Sequence, residues 1–306
     1  MISIANYDFQ PAKVVSEHDE VLVVTGPTCS GKTDYALELC EKDSSIEIVN
    51  GDSALIYRGF DIGTAKPLKQ ILGRTPHHLI DILDPSEFFS AGEYSRLARE
   101  VIRTIRNRGK RPVVVGGTAF YLDALFSGIM QVDIDPDEME TAKMRIKEEI
   151  AVEGFDEMHE RLREIDPILY AQIQRERNPL RLMRAWEHYY ATGQSLGEAR
   201  QTKKDAFELS PVFHVFDIPR QELWKRIEAR VDSMLKQGWL AEAERLEASG
   251  VTREMPAMGA IGYREMFDVL DGVLSLEDAR NRIIIRTRQY AKRQVTWMKK
   301  YQVTST

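Results

Sequence analysis

With 306 residues, 43 % of them apolar and 29 % charged, the chain is long enough to bury a full core as one large domain or two smaller ones, without disulfides or structural metal. Its two cysteines, Cys29 and Cys40, exclude a disulfide framework and leave no C-x-x-C pair for zinc. Apolar runs no longer than VLVV exclude a spanning segment, and the amino terminus lacks the regions of a signal peptide, so a reduced, cytoplasmic protein with no membrane association is expected.

Residues 1–19 read as a polar extension. EVLVV (20–24) is β-branched and bounded by Gly26 and Pro27, which predicts a short buried strand. A helix is predicted over 32–42 and a second strand over IEIVN (46–50). Tyr94, Leu97, Val101 and Ile105 recur at three- and four-residue spacing, predicting an amphipathic helix over 93–108, with Gly109 at its C′ position. VVVGG (113–117) reads as a further buried strand. This alternation is the pattern of an α/β domain with a parallel sheet. From 131 to 205 the chain is charged and helical in pattern, with no convincing strand. Strand character returns at 211–218, followed by helical patterns over 219–249, 262–270 and 276–300. The predicted organisation is therefore an extension (1–19), a first core segment (20–130), a helical insertion (131–205) and a second core segment (206–306).

The net charge of −6 is unevenly spread. Between Arg280 and Lys300 there are eight basic residues and no acidic one. A basic stripe on an acidic body fits a polyanion held in one groove, and equally a solvated helix face.

Gly26-Pro27-Thr28-Cys29-Ser30-Gly31-Lys32-Thr33 matches G-x-x-x-x-G-K-[ST] between a predicted strand and a predicted helix. Glycines at both ends let backbone N–H groups turn inward as an anion nest, and the following helix adds its positive end. Lys32 supplies a cation and the Thr33 hydroxyl a ligand for Mg²⁺, so a diphosphate or triphosphate is the expected ligand. Nucleotide hydrolases carry an acid at the end of a neighbouring apolar strand; here that strand runs into Gly116-Gly117-Thr118. The acid stands instead after the second strand, at Asp52, where it is either a proton acceptor facing an acceptor substrate or a turn-forming cap.

Taken together, GPTCSGKT (26–33), DSALIYRGFDIGTAKP (52–67), PHHLIDILDP (76–85), GGTAFYLDAL (116–125), RNPLRLMRAWE (177–187), MGAIGYREM (258–266) and TRQYAKRQVTWMKK (287–300) resemble the bacterial tRNA dimethylallyltransferases, from about residue 20 to 300. The resemblance implies a P-loop nucleotide-kinase-like core with a helical insertion that grips the anticodon stem-loop. It implies transfer of a five-carbon prenyl group from dimethylallyl diphosphate to the exocyclic amine of the adenosine 3′ of the anticodon. The P-loop would then hold the donor's diphosphate, with Mg²⁺ on Thr33, and Asp52 would act as base. Thr118 would lie near the reacting base and Arg230 on the diphosphate. Asp52, Ser53, Ala54 and Leu55, with Leu180, Arg181, Leu182, Met183 and Arg184, match segments that meet the RNA, and Lys143 stands where an arginine is usual. The basic carboxy-terminal helix would add Arg286 and Arg293.

The rival readings are prenyl transfer to a free adenine nucleotide, a P-loop small-molecule kinase or NTPase, and an RNA-binding module without catalysis. The long insertion and the basic helix speak against the first, and the Asp52 block against the second. The intact set of Lys32, Thr33, Asp52 and Thr118 speaks against the third. His77 and His78 lack companions for a metal site and read as structural, the four tryptophans read as core, and no protein partner is indicated.

Overall fold

The computed structural model describes residues 20–128, 135–175, 178–200 and 206–302. The amino-terminal extension (1–19) and the start of the predicted insertion (131–134) lie outside these residues. Five strands make one parallel sheet: β1 (Glu20–Thr25), β2 (Ile46–Asn50), β3 (His77–His78), β4 (Arg111–Val115) and β5 (Ser210–Val215), in the order β3-β2-β4-β1-β5. β1 lies between β4, with Leu22 opposite Val113, and β5, with Leu22 opposite Val212. Val23, Val24, Val49 and Val114 are fully buried, as the near-continuous apolar runs of parallel strands require when helices cover both faces.

The helices of the first segment are α1 (Lys32–Lys42), α2 (Lys69–Leu72), α3 (Ala91–Asn107) and α4 (Ala119–Ser127). α3 starts two residues before its predicted position because Ser90 and Glu93 form a reciprocal capping box. Its buried stripe is also rotated from the predicted one, running through Tyr94, Ala98, Ile102 and Ile105, with Leu97 and Val101 at its flank. The cause is polar: Arg99 is buried because its guanidinium donates to the Leu125 carbonyl at 2.8 Å, and Ser95 donates to that of Ala124. β4 ends at Val115, short of the predicted Gly116-Gly117. A Cβ on Gly116 would stand 2.1 Å from the Gly51 carbonyl carbon, so this glycine serves the close approach of two loops rather than the strand. Thr118 accordingly opens α4 and does not end β4: its carbonyl accepts from the N–H groups of Tyr121 and Leu122.

The chain separates into two compact units, Ser127–Ala206 and the segments on either side of it. The middle unit is α5 (Pro136–Glu153), α6 (Phe155–Ile165), α7 (Pro167–Ile173), α8 (Pro179–Thr192) and α9 (Leu196–Ala199), with no strand among its described residues. Three of these helices begin with proline behind a side-chain cap from Asp135, Asp166 or Asn178. Ile146, Met158, Leu162, Leu182 and Trp186 form its core, and the Trp186 indole donates to the Met158 carbonyl.

After β5 come α10 (Arg220–Lys236), α11 (Trp239–Ala248), α12 (Tyr263–Leu270) and α13 (Leu276–Gln302). The helix expected over 219–249 is two helices, broken at Gly238 with φ +97°. These helices enclose a second core around Phe60, Ile227, Trp239, Tyr263, Phe267 and Ile283. Among the described residues no helix is long and apolar enough to cross a membrane. Trp186 and Trp239 are core as expected, whereas Trp297 is 38 % exposed and Trp224 is half-buried between Arg220 and Arg288.

Candidate active site

The loop between β1 and α1 carries the first half of the site. Gly31, at φ +94°, turns the chain into α1 without a side-chain cap. Among the described residues the backbone N–H groups of Cys29, Gly31, Lys32 and Thr33 donate to no protein acceptor, and the buried Ser30 hydroxyl has no partner. Unsatisfied donors converging on a helix start are the polar inventory of an anion site. Lys32 Nζ rests on the Pro27 carbonyl at 2.9 Å. Burial lowers the Lys32 ammonium to a pKa of about 8; the Asp52 carboxylate opposes that shift and the Arg230 guanidinium adds to it.

Arg230 reaches this loop from the middle of α10. Its Nη1 lies 3.5 Å from Thr28 Oγ1 and 3.6 Å from Cys29 Sγ, and its Nη2 lies 3.5 Å from the Thr64 carbonyl. No carboxylate pairs with it among the described residues. Two cations and one carboxylate, Asp52, thus line one cavity at this loop, an arrangement that a polyanion would neutralise.

The second half follows β2. Asn50 ties down this turn, its Oδ1 accepting from Asp52 N–H and its Nδ2 donating to the Asp52 and Leu79 carbonyls. Asp52 Oδ1 accepts from the Ala54 N–H at 3.0 Å, so the turn role open in the sequence is real. Asp52 also lines both cavities of the site. The larger, about 500 Å³, is bounded by Asp52, Ser53, Ala54, Tyr57, Phe89, Tyr121, Met234, Trp239, Arg286, Gln289, Tyr290 and Arg293, among others. The smaller, about 70 Å³, is bounded by Lys32, Thr33, Asn50, Asp52, Leu55 and His77 among others, and shares Thr28, Asp52, Thr64 and Arg230 with the larger. The Thr118 hydroxyl accepts the Ser53 N–H at 3.0 Å and donates to Ser53 Oγ at 3.2 Å. Burial, then the Asp52 charge, pushes the Tyr290 phenol well above its ordinary range, as burial does for Tyr121.

Several residues that build this cavity carry no local signal. Glu242 reads as a solvent-facing helix acid, yet it is buried and accepts the N–H groups of Asp61, Ile62 and Gly63 and the Tyr263 hydroxyl, holding the 61–64 turn in place. Trp239 lines the larger cavity, and a Cβ on Gly63 would meet its indole at 2.1 Å. His77 and His78 form the edge strand β3, and His78 Nε2 pairs with the buried Glu47 at 2.7 Å.

Arg286 and Arg293 do line the larger cavity, but Arg286 is bound to the buried carboxylate of Glu265. In the helical unit, Leu180, Arg181 and Arg184 are exposed on α8. Leu182 is completely buried there, so its expected place on an RNA is corrected to a place in the core; Met183 is half-buried. Lys143 is bound at 3.1 Å to Glu140 on its own helix.

The family profile described as IPP transferase matches residues 55–301. A tRNA dimethylallyltransferase of Syntrophobacter fumaroxidans is 44 % identical over 284 residues, 91 % of this chain and 80 % of that protein. Among solved structures, the full-length tRNA isopentenylpyrophosphate transferase of Bacillus halodurans superposes with a TM-score of 0.64 at 35 % identity, over 92 % of this chain and 87 % of that one. A eukaryotic dimethylallyltransferase acting on tRNA superposes with a TM-score of 0.76 at 28 % identity, over 92 % and 70 %. A profile spanning most of the chain and relatives at this identity show the family: the protein belongs to the IPP transferase family, that of the tRNA dimethylallyltransferases.

Proposed function

We propose that this protein transfers a dimethylallyl group from dimethylallyl diphosphate to the exocyclic amine of the adenosine 3′ of a tRNA anticodon, releasing diphosphate. The observation that carries the reading is that Lys32 and Arg230, at a phosphate loop with unsatisfied donors, line a cavity together with Asp52. The loop N–H groups and the two cations hold the donor's diphosphate and take up the charge that grows on it as the allylic carbon–oxygen bond breaks. The adenine amine attacks that carbon, forming the new carbon–nitrogen bond, and its proton passes to Asp52. A positioned base of this kind contributes about 10² to 10⁴ in rate. Thr118 holds the backbone beside Asp52, and the aromatic wall of Tyr57, Phe89, Tyr121 and Tyr290 suits a base removed from its stack.

Mg²⁺ fits this site in one way. Among the described residues no cluster of three His, Cys, Asp or Glu groups could hold a metal, so a cation here would depend on the donor's phosphate oxygens. Thr33, whose hydroxyl has no protein partner among the described residues, lines the smaller cavity with Asp52 and would be its protein ligand. When bound, the ion supplies Lewis-acid stabilisation of the leaving diphosphate. For the RNA, the exposed Leu180, Arg181 and Arg184 on α8 offer contact to the anticodon loop, as do Ser53, Ala54, Arg286 and Arg293 at the cavity.

The test offers labelled dimethylallyl diphosphate and Mg²⁺ in parallel to unmodified tRNA and to AMP, with ATP alone in a third reaction. Label in the tRNA, lost when the adenosine 3′ of the anticodon is replaced, is the expected result. Label in AMP, or ATP hydrolysis without transfer, would refute the reading.

A further inference from the structure

We propose that Gln294 is a positioning residue for the transfer, setting the distance between the phosphate loop and the Asp52 carboxylate; this rests on the reaction proposed above. Gln294 lies in the second half of α13 and is 4 % exposed. Its Oε1 accepts the Thr28 N–H at 2.8 Å and its Nε2 donates to the Gly117 carbonyl at 2.8 Å. One end accepts and the other donates, so the amide has a single orientation that satisfies both neighbours.

The two groups it joins belong to the two halves of the site. Thr28 sits in the phosphate loop. Gly117 precedes Thr118, whose N–H donates to the Gly51 carbonyl and whose hydroxyl holds Ser53. Phosphate loop, Gln294, residues 117–118, then residues 51 and 53 on either side of Asp52 form a continuous run of hydrogen bonds and short chain segments. Gly117 is adapted to this contact, since a Cβ there would stand 2.4 Å from Gln294 Nε2. Gln294 also withdraws the Thr28 N–H from the anion nest, leaving the N–H groups of Cys29, Gly31, Lys32 and Thr33 to meet the diphosphate. Its loss therefore frees a donor in the nest and removes none, so donor binding should survive while alignment fails. A misplacement of about 1 Å between reacting groups costs on the order of 10² in rate.

The experiment compares full-length wild type, Gln294→Met, Gln294→Ala, Gly117→Ala and the Gln294→Ala/Gly117→Ala double variant. It measures single-turnover transfer at saturating tRNA, calorimetric affinity for dimethylallyl diphosphate, and thermal unfolding. The methionine keeps the volume of glutamine without its amide, and the alanine leaves room for water should the methionine variant not fold. Expected are a single-turnover rate lower by on the order of 10² for Gln294→Met, a donor affinity within about threefold of wild type, and a similar loss for Gly117→Ala. The double variant should lose no more than either single one, because the two residues act as one contact. A folded Gln294→Met or Gln294→Ala protein transferring at the wild-type rate would overturn the proposal, even with a lowered unfolding temperature, since the role would then be structural. So would loss of donor affinity in step with rate, which would put Gln294 in the binding cradle. Wild type that transfers nothing would instead refute the proposed reaction, and this inference with it.

Discussion

Among the described residues the α/β unit buries more of its charged groups than the helical unit does. In the first, Glu242 accepts three backbone N–H groups, Lys66 binds the Tyr57 carbonyl and two aspartates, and Glu265 binds Arg286, alongside exposed pairs such as Arg58–Asp84 and Arg103–Glu208. In the second, pairs such as Arg145–Glu149 and Lys143–Glu140 lie a turn apart at the surface. Its buried carboxylate, Asp166, serves to cap α7 and to hold the Gly197 N–H. A buried charge is costly unless every bond to it is made, so each one commits the segment it binds to a single position. A surface pair is worth about 0 to 1 kcal/mol, and its cation stays available to a stronger anion. On the function proposed above, the α/β unit holds the reacting groups still and the helical unit presents cations to a phosphate backbone.

Breaking the first half of that contrast has the largest expected effect. Asp52→Ala should lower single-turnover transfer by about 10² to 10⁴ while leaving tRNA affinity, read by filter binding, essentially intact. Arg230→Met should cost about 10²-fold in kcat, because its guanidinium stands at the loop with no carboxylate partner to release among the described residues. Calorimetry with inorganic diphosphate should show the matching loss of anion affinity.

The helical unit sharpens the contrast from the other side. Arg181→Ala with Arg184→Ala should weaken tRNA binding and reduce its salt slope by about one for each phosphate no longer neutralised, with the rate at saturating tRNA unchanged. The smallest effect is expected on α13, where the two cavity arginines are not equivalent. Arg293→Ala should flatten the salt dependence by about one counterion without altering stability. Arg286→Ala should lower the unfolding temperature, because it strands the Glu265 carboxylate, whose Oε2 already lacks a partner.

Much of the α/β unit is legible in the sequence because its signals are local. A β-branched run ending in a glycine-rich turn and a lysine-opened helix needs only contiguous residues, and four of the five strands, the phosphate loop and Asp52 follow from such patterns; β3, two histidines without an apolar run, does not. The resemblance then adds Thr118 and Arg230 to the expected site. What stays hidden depends on partners far along the chain. Gln294 meets Thr28 across 266 positions and Glu242 meets Ile62 across 180, and each, taken alone, reads as an ordinary polar residue on a solvated helix. Gly116 and Gly117 read as part of β4 because an apolar run gives no sign that another backbone will pass within 2.1 Å of the missing Cβ. The stripe of α3 is displaced by a buried arginine, a residue that periodicity assigns to solvent. Leu182 goes to the RNA with its segment in the sequence, although the segment buries one face and presents the other.

On this reading, chemistry resides at Asp52 and the phosphate loop while the helical unit contributes affinity alone. The sharpest test is a single-turnover transfer assay, with saturating tRNA and labelled dimethylallyl diphosphate, on wild type, Asp52→Ala and the Arg181→Ala/Arg184→Ala protein side by side. Equal rates are expected for wild type and the double arginine variant, with a loss of at least about 10² for Asp52→Ala. An Asp52→Ala protein that transfers at the wild-type rate would remove the base from the reaction and the division of labour with it.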